Sequence, residues 1–269
     1  MQNRYIGDVG DFGKFGLLRK LCDGTPPLKL GVVWYLADFG NGAKADGKHV
    51  GYLEGVCLSA SQERLRSCDT KLYDTLRQLL VDAEGKVVAE RRLIATIEDG
   101  GVLPDATLFF SETFTDEEGT SRSEWLGRAL KTTAEADVIF LDPDNGIQGR
   151  SSRTMGPKHA LWSEIEAFAG RGQTVVVYHH LNRSAPHQEQ INLLRRQFDE
   201  HMPNDFETFH TVFRRGTRRA YFVAADPSRR DVVVSRLCEM LSGEWAKRGH
   251  FLPKLSYTGP SQSGERSQR

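Results

Sequence analysis

The chain has 269 residues, 39% of them hydrophobic and 27% charged, and its 36 basic residues balance 36 acidic ones. That is ordinary globular composition, with enough length to bury a sizeable core. A net charge of zero excludes a global field that would draw the protein to nucleic acid or an anionic membrane.

The four cysteines (Cys22, Cys57, Cys68, Cys238) are scattered and include no C-x-x-C pair. This argues against a zinc ribbon, a redox dithiol or a disulfide framework. No apolar run approaches the ~20 residues that span a bilayer, and the opening Met-Gln-Asn-Arg-Tyr has no apolar signal core. A cytoplasmic protein with no membrane partner is expected; the oligomeric state cannot be read from the chain.

Along the chain, Phe12, Phe15, Leu18 and Leu21 recur at helical spacing, so a helix is predicted over 11–23, capped by Asp11 and stopped by Asp23-Gly24 and Pro26-Pro27. Leu28 to Leu36 reads as a buried strand, followed by a Gly-rich loop from Ala37 to Gly51. Residues 61–98 are helical in pattern, with Leu72, Leu76, Leu79 and Leu80 on one face. A second strand is expected over Ala106–Ser111, a helix over Glu118–Glu135 and a third strand over Asp137–Leu141. A helix over His159–Ala169 then leads to a strand over Thr174–Tyr178, and a longer helix over Ala185–Met202 follows.

Phe206–Phe213 and Arg219–Ala225, joined by Arg214-Arg-Gly-Thr-Arg218, form a hairpin pattern, and a last helix covers Ser228–Leu241. From Tyr257 on, Gly, Ser, Pro and charged residues dominate, so a single α/β domain over 1–256 with a disordered tail over 257–269 is expected. Strands separated by helix-length segments imply a three-layer, Rossmann-like, mostly parallel sheet, with the hairpin adding antiparallel strands at the end.

Ligands of open α/β sheets bind at the carboxyl ends of the strands, and three predicted strands end in polar, loop-forming residues. The first leads into Asp38-Phe-Gly40-Asn-Gly42, where glycines would let backbone N–H groups approach a cofactor; an ordinary surface turn has the same composition. The second ends in Asp142-Pro143-Asp144-Asn145-Gly146, where two clustered carboxylates point to chemistry and the turn-forming composition to a bland alternative. The third ends in Tyr178-His179-His180, supplying imidazoles that could act as base or ligand.

Two further features stand apart. In Gly7-Asp8-Val-Gly10-Asp11-Phe-Gly13-Lys14-Phe-Gly16, glycines inside a helix pattern cost about 1 kcal/mol each against Ala. They imply either an anion near the helix start, reached by Lys14, or close helix packing. Arg214, Arg215, Arg218 and Arg219 at the hairpin tip suit phosphate contacts, from nucleic acid or a phosphorylated substrate, if the tip is more than a solvated turn.

The opening Gly7 to Leu18 resembles that of a bacterial family of uncharacterised proteins beginning G-D-x-G-D-F-G-K-x-G-L-L, and the likeness runs from Asn3 to about Leu241. More remotely, the layout resembles the class I methyltransferases that act on adenine N6 of 23S ribosomal RNA. In those enzymes a G-N-F helix precedes a Gly-rich cofactor loop, and a later strand ends in D-P-P-Y. Gly10-Asp11-Phe12, Asp38 to Gly42 and Asp142-Pro143 hold comparable places. The chain departs from the pattern with Asp144-Asn145 in place of Pro-Tyr, and with no clear acidic residue closing the second strand.

Three readings follow. In the first, Asp38, Gly40 and Gly42 line an S-adenosylmethionine site, with Lys14 beside it. Asp142 orients the acceptor with Asp144 and Asn145, and His179 or His180 serves as base. In the second, Asp142, Asp144 and a histidine hold Mg²⁺ or Mn²⁺ for phosphoester hydrolysis. The D-x-D also resembles haloacid-dehalogenase-type phosphatases, without their lysine and downstream acidic pair. The third is a non-catalytic partner protein on the same scaffold.

Overall fold

The computed structural model describes residues 2–36, 49–114, 121–149, 158–253 and 256–257. Its strands are β1 (Leu30–Trp34), β2 (Leu108–Phe110), β3 (Val138–Asp142), β4 (Gly146–Ile147), β5 (His159–Ala160), β6 (Thr174–His180), β7 (Glu207–Phe213), β8 (Arg219–Ala225) and β9 (Ser256–Tyr257). Seven of them form one sheet in the order β2-β1-β3-β6-β8-β7-β9, while β4 and β5 pair in a separate ribbon. The pairs β2–β1, β1–β3 and β3–β6 are parallel, and the pairs involving β8 and β9 are antiparallel. Because β8 lies between β6 and β7, the hairpin extends the parallel half directly.

The helices are α1 (Val9–Cys22), α2 (Ala60–Arg66), α3 (Thr70–Leu80), α4 (Ile94–Asp99), α5 (Arg122–Thr132), α6 (Trp162–Ala169), α7 (His187–His201), α8 (Arg230–Ser242) and α9 (Glu244–Lys247). Successive strand side chains point to opposite faces, and the core divides accordingly. Val32, Val138, Phe140, Val176, Tyr221 and Val223 pack with α1, α3 and α8. Val33, Ile139, Leu141, Val175, Val177, Phe222 and Ala224 pack with α5, α6 and α7. The result is a three-layer α/β sandwich buried on both faces, which is why its central strands read as continuous apolar runs.

Several boundaries differ from the sequence reading. Helix α1 starts two residues earlier than expected, because Asp8 caps it by accepting from Gly10 N at 2.8 Å; Asp11 lies inside the first turn. The span 61–98 breaks into α2, α3 and α4, with separate caps at Ser59 and Asp69 for the first two. His159 and Ala160 belong to β5, and α6 begins at Trp162. At the other end, Tyr257 pairs with Phe209, so ordered pairing continues past 256; residues 258–269 lie outside the described residues.

The glycines of α1 follow from packing. A Cβ on Gly13 would sit 2.6 Å from the Phe213 ring, and one on Gly16 would sit 2.3 Å from Trp245. A Cβ on Gly10 would fall inside the Arg219 guanidinium. The stripe lets α1 lie against the hairpin and α9, and nothing about it requires an anion at the helix start. Gly13→Ala is therefore expected to lower stability by about 1–3 kcal/mol through overpacking, despite a helix-propensity gain of about 1 kcal/mol. Denaturant midpoints measure it, and unchanged or raised stability would remove the packing account.

Candidate functional site

At the carboxyl end of β3, Pro143 has no N–H to continue the ladder, so the chain leaves the sheet directly after Asp142. Val138, Phe140 and Asp142 alternate onto the α1 face, which points the Asp142 carboxylate under that helix. There it accepts from Lys14 Nζ at 2.9 Å, and Lys14 also pairs with Asp11 Oδ1 at 2.9 Å. All three side chains are buried. Burial opposes the Lys14 charge, but Asp11 and Asp142 outweigh it and hold its pKa above the ordinary lysine value. Burial likewise raises the Asp11 pKa, against the pull of Lys14.

A second ion pair lies beside the first. Asp8 Oδ1, already holding the α1 N-terminus, accepts from Arg219 Nη2 at 2.9 Å, and Asp8 Oδ2 accepts from His49 N at 3.3 Å. Arg219 also donates to the carbonyls of Arg215 and Thr217, which ties the hairpin tip down. Between these pairs opens a cavity of about 290 Å³, lined by Tyr5, Asp8, Asp11, Lys14, His49, Asp142, Pro143, Asp144, Asn145, Tyr178, His180, Thr217 and Arg219. Asp144 is half-buried at this wall and accepts from Gln2 Nε2 at 2.6 Å. Among the described residues of the lining, four are carboxylates and two are cationic side chains.

Of the residues predicted from sequence, Lys14, Asp142, Asp144, Asn145, His180 and Arg219 meet at this cavity. His179 does not. It has the strand parity of Val175 and Val177, so its ring faces the opposite layer, packs edge-on to Phe222 and accepts from Ile147 N at 3.1 Å through Nδ1. Burial, with His180 and His159 nearby, lowers its pKa to about 4. That is a packed neutral imidazole whose contacts lie away from the cavity. Gly146, at φ +106°, brings β4 against it, since a Cβ there would sit 2.4 Å from His179 Nδ1.

Lys14 is not an anion ligand at the helix start; two carboxylates hold it. The four arginines of the tip also diverge. Arg215 donates to His250 Nδ1 at 3.0 Å, Arg218 meets His187 Nδ1 at 3.3 Å on α7, Arg214 is exposed, and Arg219 alone among them enters the cavity lining. Asp38, Gly40 and Gly42 lie outside the described residues. Of the described residues near that segment, Trp34 is in register with Asp142, and His49 donates its backbone N–H to Asp8 and lines the cavity.

Sequence reading missed Asp8 and Asp11 as site residues. Their signal was present: Asp8, Asp11 and Lys14 recur every three residues in a helix that is buried almost all round. It also missed the acidic groups near the second strand. Glu112 follows β2 by two residues and pairs with Arg128, and Glu98 of α4 accepts from Trp34 Nε1 at 2.8 Å and from Ser111 Oγ. Among the described residues, no group of three or more His, Cys, Asp or Glu side chains is placed to hold a metal ion. No helix among them is long and apolar enough to cross a membrane.

No protein family and no curated protein matches the chain significantly. Among solved structures, it is similar in outline to the crystal structure of protein LPL1258 from Legionella pneumophila str. Philadelphia 1, described under DUF519. The identity is 11%, covering 95% of this chain and 98% of that one, with a TM-score of 0.47. A likeness of that size assigns no function.

Two outcomes follow from the site's electrostatics. Lys14→Met leaves Asp11 and Asp142 buried without their shared cation, so a loss of about 3–5 kcal/mol is expected in urea unfolding; a loss under 1 kcal/mol would mean the pair is solvated. The unfolded chain protonates His179 near pH 6.5, while the folded one resists to about 4. Stability from this group is complete above pH 6.5 and is lost as pH falls toward 4, at up to about 1.4 kcal/mol per pH unit. His210 and His250, also lowered to about 4 chiefly by burial, act in the same direction. His179→Asn should therefore flatten part of the acid limb in pH-dependent melts, and an unchanged slope would count against the buried neutral imidazole.

Proposed function

We propose that this chain is a methyltransferase-like protein that binds S-adenosylmethionine at the carboxyl edge of its parallel strands. The observation that carries the reading is the position of the cavity. It lies where β3 and β6 end, on the α1 face, with His49, the residue that follows segment 37–48, in its lining. Open α/β sheets bind their ligands at that edge, and about 290 Å³ lies just below the range of about 300–1,000 Å³ usual for small-molecule pockets. The layout of a parallel half extended by a terminal hairpin supports the same reading as a fold-level analogy.

The lining fits the cofactor's charge. S-adenosylmethionine carries a sulfonium, an ammonium and a carboxylate, a net positive charge, and among the described residues carboxylates outnumber cations around the cavity. When bound, the cofactor supplies an activated methyl group. The chain's own residues would position its partner: Asp142, fixed by Lys14, presents one wall, and His180 is the histidine of the predicted pair that lines the cavity. Asp38, Gly40 and Gly42 enter this reading from the sequence alone.

The metal-dependent hydrolase reading has less support. Asp142 Oδ2 is held by Lys14 and Asp144 Oδ2 by Gln2, and among the described residues no group of three His, Cys, Asp or Glu side chains is placed to hold a metal ion. A nucleic-acid partner has less support from the tip, because Arg215, Arg218 and Arg219 turn to three different neighbours.

Calorimetric titration tests the proposal. Saturable S-adenosylmethionine binding, weakened at least tenfold by Asp142→Asn in a variant that still melts cooperatively, is the expected result. No binding by the intact protein, or Mn²⁺ binding abolished by Asp144→Ala, would overturn it.

A further inference from the structure

We infer that His179, whose ring faces away from the cavity, is the positioning residue of the Asp142–Asn145 wall: the neutral imidazole accepts the Ile147 N–H and ties that wall to the end of β6. This deepens the proposed function and rests on the cavity being the working site. The chain that bears the wall leaves the sheet after Asp142 and pairs again in the ribbon of β4 and β5. Asn145 N donates to the Lys158 carbonyl at 2.9 Å, and the Asn145 carbonyl accepts from His180 N at 3.3 Å. A parallel pairing of this segment with β6 would be completed by Ile147 N donating to the His180 carbonyl. That N–H goes to His179 Nδ1 at 3.1 Å, so a ring nitrogen stands where a strand would offer a backbone oxygen. Asp144 and Asn145 thus lie between two anchors, the Lys14–Asp142 pair upstream and the His179–Ile147 bond downstream.

The ring is held in the orientation this bond requires. It meets Phe222 of β8 edge-on, with centroids 6.4 Å apart and planes at 84°. Gly146 closes in from β4 at φ +106°, where a Cβ would come within 2.4 Å of Nδ1 and 2.7 Å of the His179 Cα. An accepting Nδ1 places the proton of the neutral ring on Nε2. An imidazolium carries N–H at both nitrogens and would turn a donor toward the Ile147 donor, so the bond requires the neutral ring. The surroundings favour that form: burial lowers the His179 pKa to about 4, and His180 beside it and His159 on β5 act in the same direction. His159 has its own pKa lowered, by burial and then by Arg122 of α5 and Lys158. The tie is therefore complete at neutral pH and is lost as pH falls through about 4, when the ring gains its second proton.

The test uses the full chain at neutral pH, labelled with ¹⁵N for amide exchange and titrated with S-adenosylmethionine. His179→Leu fills the space without an acceptor. Exchange of the Ile147 amide should then accelerate about tenfold, the worth of one net hydrogen bond, while amides within β6 and β8 keep their protection. Cofactor binding should weaken by a similar factor. His179→Asn should bring both readings back to within about threefold of the parent, because its side-chain oxygen can accept where Nδ1 does. A ring that only fills space would be replaced as well by Leu as by Asn, so unchanged Ile147 exchange in His179→Leu, or no recovery in His179→Asn, overturns the inference. Should His179→Leu fail to fold, the parent protein decides: a through-bond ¹⁵N–¹⁵N coupling between Ile147 N and His179 Nδ1 is expected, and its absence overturns the tie. The expected exchange pattern without S-adenosylmethionine binding by the parent sinks the methyltransferase reading alone, while cofactor binding that His179→Leu leaves unchanged sinks this inference alone.

Discussion

The buried pair of Lys14 with Asp142 governs how this molecule is put together at the carboxyl edge of its parallel strands. It joins the first helix to the end of a central strand 128 residues later in the chain, and it does so in an environment where neither charge can be left alone. Taking the two groups out of water is costly, and the arrangement persists because Asp11 supplies a second carboxylate and Gly7 N satisfies the far oxygen of Asp11 at 3.1 Å. Such a pair adds little net stability over apolar packing, but its geometry is demanding. It sets the height and rotation of α1 above the strand ends, and with them the cavity between helix and sheet.

Helix α1 carries two messages in one short segment. Gly10, Gly13 and Gly16 run along one line and bring the backbone against Phe213, Trp245 and Arg219. Asp8, Asp11 and Lys14 run along a neighbouring line and face the cavity. Each series repeats every three residues, so each drifts slowly around the helix and stays on its own side. The pair Asp8–Arg219 joins the two lines, because the guanidinium that crosses Gly10 is the one that the helix cap receives.

Much of the fold was legible because it rests on local physics. The apolar runs at β1, β3 and β6, the hairpin of β7 and β8 and the helices α1, α7 and α8 all declare themselves through periodicity and turn residues. The convergence of Asp142, Asp144 and His180 follows from the rule that parallel strands share a carboxyl edge. What stayed hidden depends on pairing between distant residues. Sequence cannot say that Lys14 would be claimed by two carboxylates, or that Arg215, Arg218 and Arg219 would turn to three different neighbours. Nor did the doublet His179-His180 reveal its split, although the twofold alternation of a strand requires adjacent residues to face opposite layers. Applying that alternation to the doublet at the outset would have removed one histidine from the site.

The placement of β8 has an architectural consequence. Since this strand runs against β6, it starts where β6 stops, with His180 opposite Arg219. The connection 214–218 is therefore delivered to the same rim as the ends of the parallel strands, although it belongs to the antiparallel half. Extra residues inserted in that connection would roof the opening while leaving the strand register on either side intact. A lineage that needed a different occupant could thus reshape the entrance by lengthening one surface loop, without disturbing the ion pairs that hold the floor.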